Sequence, residues 1–221
     1  MRSRLVVTWL CSLGLAGLAA AQTAAPAGDL DPKLVGTRFA PLQWSQMSEA
    51  QKTMMRHVLD GPRTAANGPF NVMARSPVMG DLAQELGAQV RFNSTLPPAL
   101  REMAILMAAR HWTGQYEWQA HKALALEAGL DPKVVAAIAT GAEPASMQAK
   151  EAALHRFCSE LLATKHVGND TFAAAKAAFG EQGMTEIMYT LGYYSMVSMM
   201  LNVDEYPLPA GQTPELKPLA N

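Results

Sequence analysis

Between Pro97-Pro98 and Thr113-Gly114 lies ALREMAILMAARHW, the stretch that most limits what this chain can fold into. Proline fits a first helical turn, and glycine weakens a helix. The spacing therefore predicts a helix from Pro98 to His111 or Trp112. From Met103 to Ala109 it is apolar on every side. Such a helix has to be surrounded, by the rest of a domain or by another subunit.

The surrounding sequence also reads as helix. Trp44 to Leu59 has Met47, Met54, Met55, Val58 and Leu59 on one side, with Ser45 or Ser48 as cap. Pro77 to Phe92 carries a stripe at Leu82, Leu86 and Val90. Gln115 to Glu127 follows the Gly114 break and ends at Gly129. Asp131-Pro132 starts the next helix, and Ser146 is the expected cap of a longer one to Ala163. A further helix begins at Asn169 or Asp170 and reaches Phe179, where Gly180 and Gly183 interrupt. Met184 to Leu201 forms the last, rich in Met and Tyr. No segment alternates with a period of two, so the fold class is all-α, a single domain of about eight helices.

Residues 1–21 read as a cleaved signal peptide: Arg2 and Arg4, an apolar run, then Ala19-Ala20-Ala21. The run is short for a membrane span. The chain is thus expected to be secreted or periplasmic, with no membrane contact after cleavage. Residues 22–40 read as a linker, 41–206 as the domain and 207–221 as an extended tail. Sixteen Lys and Arg then remain against nineteen Asp and Glu, a net charge of −3. No basic stripe appears, which argues against nucleic acid as a partner. Cys158 is the remaining thiol, and no Cys/His spacing suggests a metal.

Chemistry is expected around the apolar helix. Glu102 lies in its second turn, followed by apolar residues; a buried carboxylate must be paired or protonated. Glu117 and His121 are four apart and share a helix face. Tyr116 and Trp118 flank them as pocket walls or as core. The Gly61–Pro77 loop is long enough to line a site. Of its cations, Arg63 is expected to be solvated or paired with surface acids.

REMAILMAARHWTGQYEWQAH resembles the core motif of the carboxymuconolactone decarboxylase family, in the AhpD-like superfamily. GPFNVMARSP and GEQGMTEIMYTLGYYSMVSMMLN extend the similarity over roughly residues 40–210. The peroxidase branch of that superfamily uses a glutamate, a C-x-x-C pair and a histidine. The resemblance puts the glutamate at Glu102 and the histidine at His121. The two cysteine positions hold Gly114 and Glu117, so the redox thiols are missing. The decarboxylase branch needs no cofactor. A lactone acid loses carbon dioxide, its electrons delocalise into the unsaturated ring, and a proton is added to carbon. The resemblance implies His121 as acid/base, with Glu102 and Glu117 supporting it. Arg75 or Arg91 is the candidate partner of a substrate carboxylate.

The leading expectation is a cofactor-independent lyase or isomerase acting on an unsaturated lactone or related small acid. The alternatives are a peroxidase-like antioxidant enzyme and a non-catalytic periplasmic binding protein. A homo-trimer or homo-hexamer is expected, packed through Met-rich helices.

Overall fold

α1 (Glu49–Asp60) starts where Ser48 and Gln51 cap each other's backbone N–H groups. α2 (Phe70–Met73) is one short turn inside the long loop, with Phe70 and Met73 turned inward. α3 (Pro77–Ala88) opens with proline in its first turn and continues into a wider turn over Gln89–Asn93. α4 (Pro98–His111) is followed by Thr113 at φ 50°, and Gly114 then leads into α5 (Gln115–Glu127). α6 (Pro132–Thr140) is capped by the Asp131 carboxylate, which accepts from the Lys133 N–H. α7 (Ala149–Thr164) and α8 (Asn169–Asp204) complete the order. The computed structural model describes residues 32–63 and 65–219, and no strand occurs among them.

α4 is the axis of the fold. It packs against α5, α6, α7 and α8. Met103 to Ala109 are all buried, as an all-round apolar helix requires. Truncating a core side chain such as Ile105 or Leu106 to alanine would cost about 2–5 kcal/mol. α8 is interrupted at Gly180, whose φ of 67° and ψ of −178° are not helical. That is the break expected between two helices there.

Several local expectations are corrected. Ser146 does not cap α7; Gln148 does, in a reciprocal pair with Glu151. The α3 stripe at Leu82 and Leu86 faces outward, 61% and 37% exposed, and only Val90 is buried. Glycines take the inward side instead: a Cβ at Gly80 would meet the Met73 carbonyl oxygen at 2.4 Å. The expected signal segment, 1–21, and the first part of the 22–40 linker lie outside the described residues. Residues 34–40 are docked, with Leu34 buried and the Asp204 carboxylate accepting from the Thr37 and Phe39 N–H groups.

The tail beyond Pro207 runs along α5. The Gln115 side chain donates to the Leu216 carbonyl and accepts from its N–H. Glu215 receives the Trp118 indole N–H at 3.2 Å and the Lys122 ammonium at 2.7 Å. No described helix is long and apolar enough to cross a membrane.

Candidate functional site

α4 and α5 meet so that His121, on α5, is enclosed by two carboxylates. Its Nδ1 lies 2.6 Å from Glu102 Oε2 on α4. Its Nε2 lies 3.2 Å from Glu117 Oε2, one turn back on α5. All three residues are buried, at 3–4% exposure. Tyr194 packs edge-on against the imidazole, with centroids 4.8 Å apart.

This geometry sets the ring's charge. A carboxylate only accepts hydrogen bonds, and a neutral imidazole has one donor. Two carboxylates on two ring nitrogens call for two N–H groups, hence an imidazolium. Burial alone would lower the His121 pKa. The hydrogen bonds and charges of Glu102 and Glu117 outweigh it and raise the value to about 9. Arg101 approaches Glu102 from outside, its Nε 3.7 Å from Oε1.

Glu117 and His121 form part of the wall of a cavity of about 380 Å³. Along α5 the lining residues are Tyr116, Glu117, Ala120, His121 and Leu124, one continuous helix face. Tyr193, Tyr194 and Val197 of α8 supply another wall; Arg63, Phe70, Arg91 and Phe92 supply more. Burial raises the phenol pKa values of Tyr116 and Tyr194, and that of Tyr193 to about 12. All three are therefore neutral O–H groups at physiological pH. Glu102 sits behind His121 and is not part of this lining.

The expected site residues divide accordingly. His121, Glu117, Tyr116 and Arg91 come together at the cavity, with Glu102 supporting from behind. Trp118 does not reach it; it is core, 1% exposed, and its indole N–H points at the tail. Arg75 is also elsewhere, exposed, with its guanidinium donating to the Ala40 carbonyl and stacked by Phe39. Arg63 reverses the expectation of a solvated cation: it is buried, at 8% exposure. A buried cation lacking a counter-charge costs on the order of several kcal/mol. Tyr193, Tyr194 and Arg63 were not singled out as site residues. Their signal lay in the Tyr-rich last helix and in the long loop, both parts of the resemblance.

Gly114 and Glu117, the positions corresponding to the redox cysteines, have separate local roles. A Cβ at Gly114 would lie 3.0 Å from Ser198 Oγ, so α5 and α8 approach closely there. Glu117 faces the cavity. Cys158 is fully buried in the core, and burial raises its thiol pKa. Away from this cavity, His57, Asp81 and Glu85 place one ligand atom each within 4.8 Å of one another, and His57 Nδ1 is already in hydrogen-bond contact with Asp81.

Residues 77–157, which span α3 to most of α7, match the model of the carboxymuconolactone decarboxylase family. That stretch is similar to the family, consistent with the AhpD-like superfamily, and it contains no C-x-x-C. No curated protein matches the chain.

Proposed function

We propose that this protein is a cofactor-independent lyase or isomerase, acting by acid–base chemistry on an unsaturated lactone or a related small organic acid. The observation that carries this reading is the His121 ring, held between Glu102 and Glu117 at a cavity wall. Protonating carbon needs an acid that is charged at neutral pH and fixed in direction. His121 supplies that acid, and Glu102 holds its ring.

In a decarboxylation, the bond from carbon to carboxylate breaks and carbon dioxide leaves. The electron pair passes into the conjugated lactone as an enolate. His121 then delivers its Nε2 proton to carbon and is reprotonated from solvent. In an isomerisation, Glu117 removes a proton from carbon and the same enolate is reprotonated at another carbon. Either enolate oxygen needs donors, and the neutral phenols of Tyr193 and Tyr194 are suited to it. General acid catalysis of this kind is worth about 10²–10⁴-fold.

A thiol peroxidase is the weaker reading, because Cys158, the cysteine among the described residues, is buried and has a raised pKa. We further propose export, from the sequence of residues 1–21, and assembly into a homo-trimer or homo-hexamer. The exposed Val78, Met79 and Leu82 of α3 support assembly.

The test is a screen of carboxylated unsaturated lactones, scored for carbon dioxide release and for double-bond migration. Any turnover found is then compared with that of His121→Gln. Loss of about 10²-fold or more supports the reading. Turnover by His121→Gln at the wild-type rate overturns it.

A further inference from the structure

Outside the His121 cavity, one cluster of ligand-type side chains has no part in the acid–base chemistry. His57 stands in the last turn of α1. Asp81 and Glu85 stand four apart on α3, on one helix face. α1 and α3 pack together, and the three side chains bring one ligand atom each within 4.8 Å of one another. His57 Nδ1 lies 2.8 Å from Asp81 Oδ2. Two ligand atoms bonded to one metal at about 2.0–2.1 Å, and at right angles, are about 2.9 Å apart. The His57–Asp81 pair is thus already at ligand spacing.

A hollow of about 710 Å³ opens beside the cluster, with His57, Asp60, Gln84 and Glu85 in its wall and no Lys or Arg. Among the described residues, no Lys or Arg nitrogen lies within 4.0 Å of the Asp60, Asp81 or Glu85 carboxylate. Gln84 is buried, at 3% exposure. Its Nε2 donates to Asp81 Oδ1 at 3.0 Å, and among the described residues no donor reaches its Oε1. A buried acceptor without a donor calls for a ligand or a water. The same amide fixes the direction of the Asp81 carboxylate, a support that metal-bound carboxylates commonly have.

We propose that His57, Asp81 and Glu85 bind a first-row divalent cation of the zinc type, which ties the end of α1 to α3. One imidazole nitrogen beside two carboxylates suits such an ion, whereas magnesium and calcium take oxygen ligands. Glu85 is exposed, so its side chain is free to close the remaining distance. Three protein ligands leave a further position for water from the hollow. No local motif announces the site, because His57 and Asp81 are 24 residues apart.

The site stands apart from the acid–base chemistry, since none of its three residues lines the His121 cavity. The two hollows share Pro62, which follows α1 by two residues. A bound ion therefore fixes the foot of the loop that carries Arg63.

The test is titration calorimetry of zinc into the untagged full chain after chelator treatment, with magnesium as the comparison ion. Zinc should bind at one per chain, at least about tenfold more tightly than magnesium, and should raise the thermal midpoint. His57→Gln and Glu85→Gln, both at exposed positions, should each weaken zinc by about tenfold or more and reduce the thermal shift. His166→Gln, which removes an exposed histidine elsewhere, should leave zinc affinity unchanged. No zinc binding by the wild type, full affinity in His57→Gln or in Glu85→Gln, an equal loss in His166→Gln, or magnesium binding as tight as zinc each overturns the site. The His57–Asp81 pair would then be an ordinary surface contact.

Discussion

Nδ1 of His121 lies 2.6 Å from Oε2 of Glu102, a contact between two helices joined by the Gly114 break. Glu102 touches the ring and stays out of the cavity lining, so it acts as a positioning residue. Glu102→Gln keeps a hydrogen-bonding group but removes the charge that holds the imidazolium. Turnover should fall by about 10²-fold, and the alkaline limb of the pH–rate profile, where the His121 proton is lost, should move to lower pH. An unshifted profile would mean that Glu102 only fills space.

Stability should follow the titration of His121. Folding raises its pKa from 6.5 to about 9. The protonated form is therefore favoured in the folded state. The resulting stabilisation is fully present below pH 6.5 and is lost as pH rises through 9. Thermal melts between those values should show a declining midpoint in the wild type. The decline should be absent in His121→Gln.

Glu215 is expected to stabilise α5 through Trp118 more than through Lys122. The Lys122 pair is partly solvated, a class worth about 0–1 kcal/mol. The Trp118 indole N–H is buried, and leaving it unpartnered costs about 1–3 kcal/mol. Glu215→Ala should therefore destabilise clearly more than Lys122→Met in denaturant titrations. Equal effects would assign the tail's hold to the ion pair.

Cys158 should be dispensable for activity. It is buried, with a raised thiol pKa. Cys158→Ala should lower stability by about 1 kcal/mol through a small cavity and leave lactone turnover unchanged. Hydroperoxide consumption should be negligible in both proteins. Peroxidase activity that vanishes with Cys158 would restore the redox reading.

Met79 and Leu82 project from α3 at 66% and 61% exposure. Met79→Lys with Leu82→Lys should leave the folded protomer within about 0.5 kcal/mol per site. Sedimentation should shift from a trimer or hexamer to the protomer. A wild type that sediments as a protomer contradicts the proposed assembly.

The helices were legible because proline and glycine mark their ends: Pro98, Gly114, Gly129 and Gly180 bound or break them where the sequence suggests. The Glu117–His121 pair was legible too, because four residues is a local distance on a helix. Arg63 was not. Its burial depends on Phe70, Phe92 and the space at Gly87, which come together only through tertiary packing. Trp118 failed for a related reason. Sequence shows that it neighbours Glu117, but the tail decides which flank of α5 is covered. The Leu82–Leu86–Val90 stripe does not hold as one face, because the wider turn at Gln89–Asn93 follows α3 and Val90 alone is buried. Periodicity alone does not say whether such a face meets the core or another surface.

The central claim is that His121 is a protonated imidazole clamped between two carboxylates. Nitrogen-15 NMR of the imidazole, followed through pH 6 to 10, tests it directly. The account predicts that both ring nitrogens remain protonated at pH 7.5, with a midpoint near 9 that falls in Glu102→Gln. A neutral His121 ring at pH 7.5, titrating at or below 6.5, would contradict it.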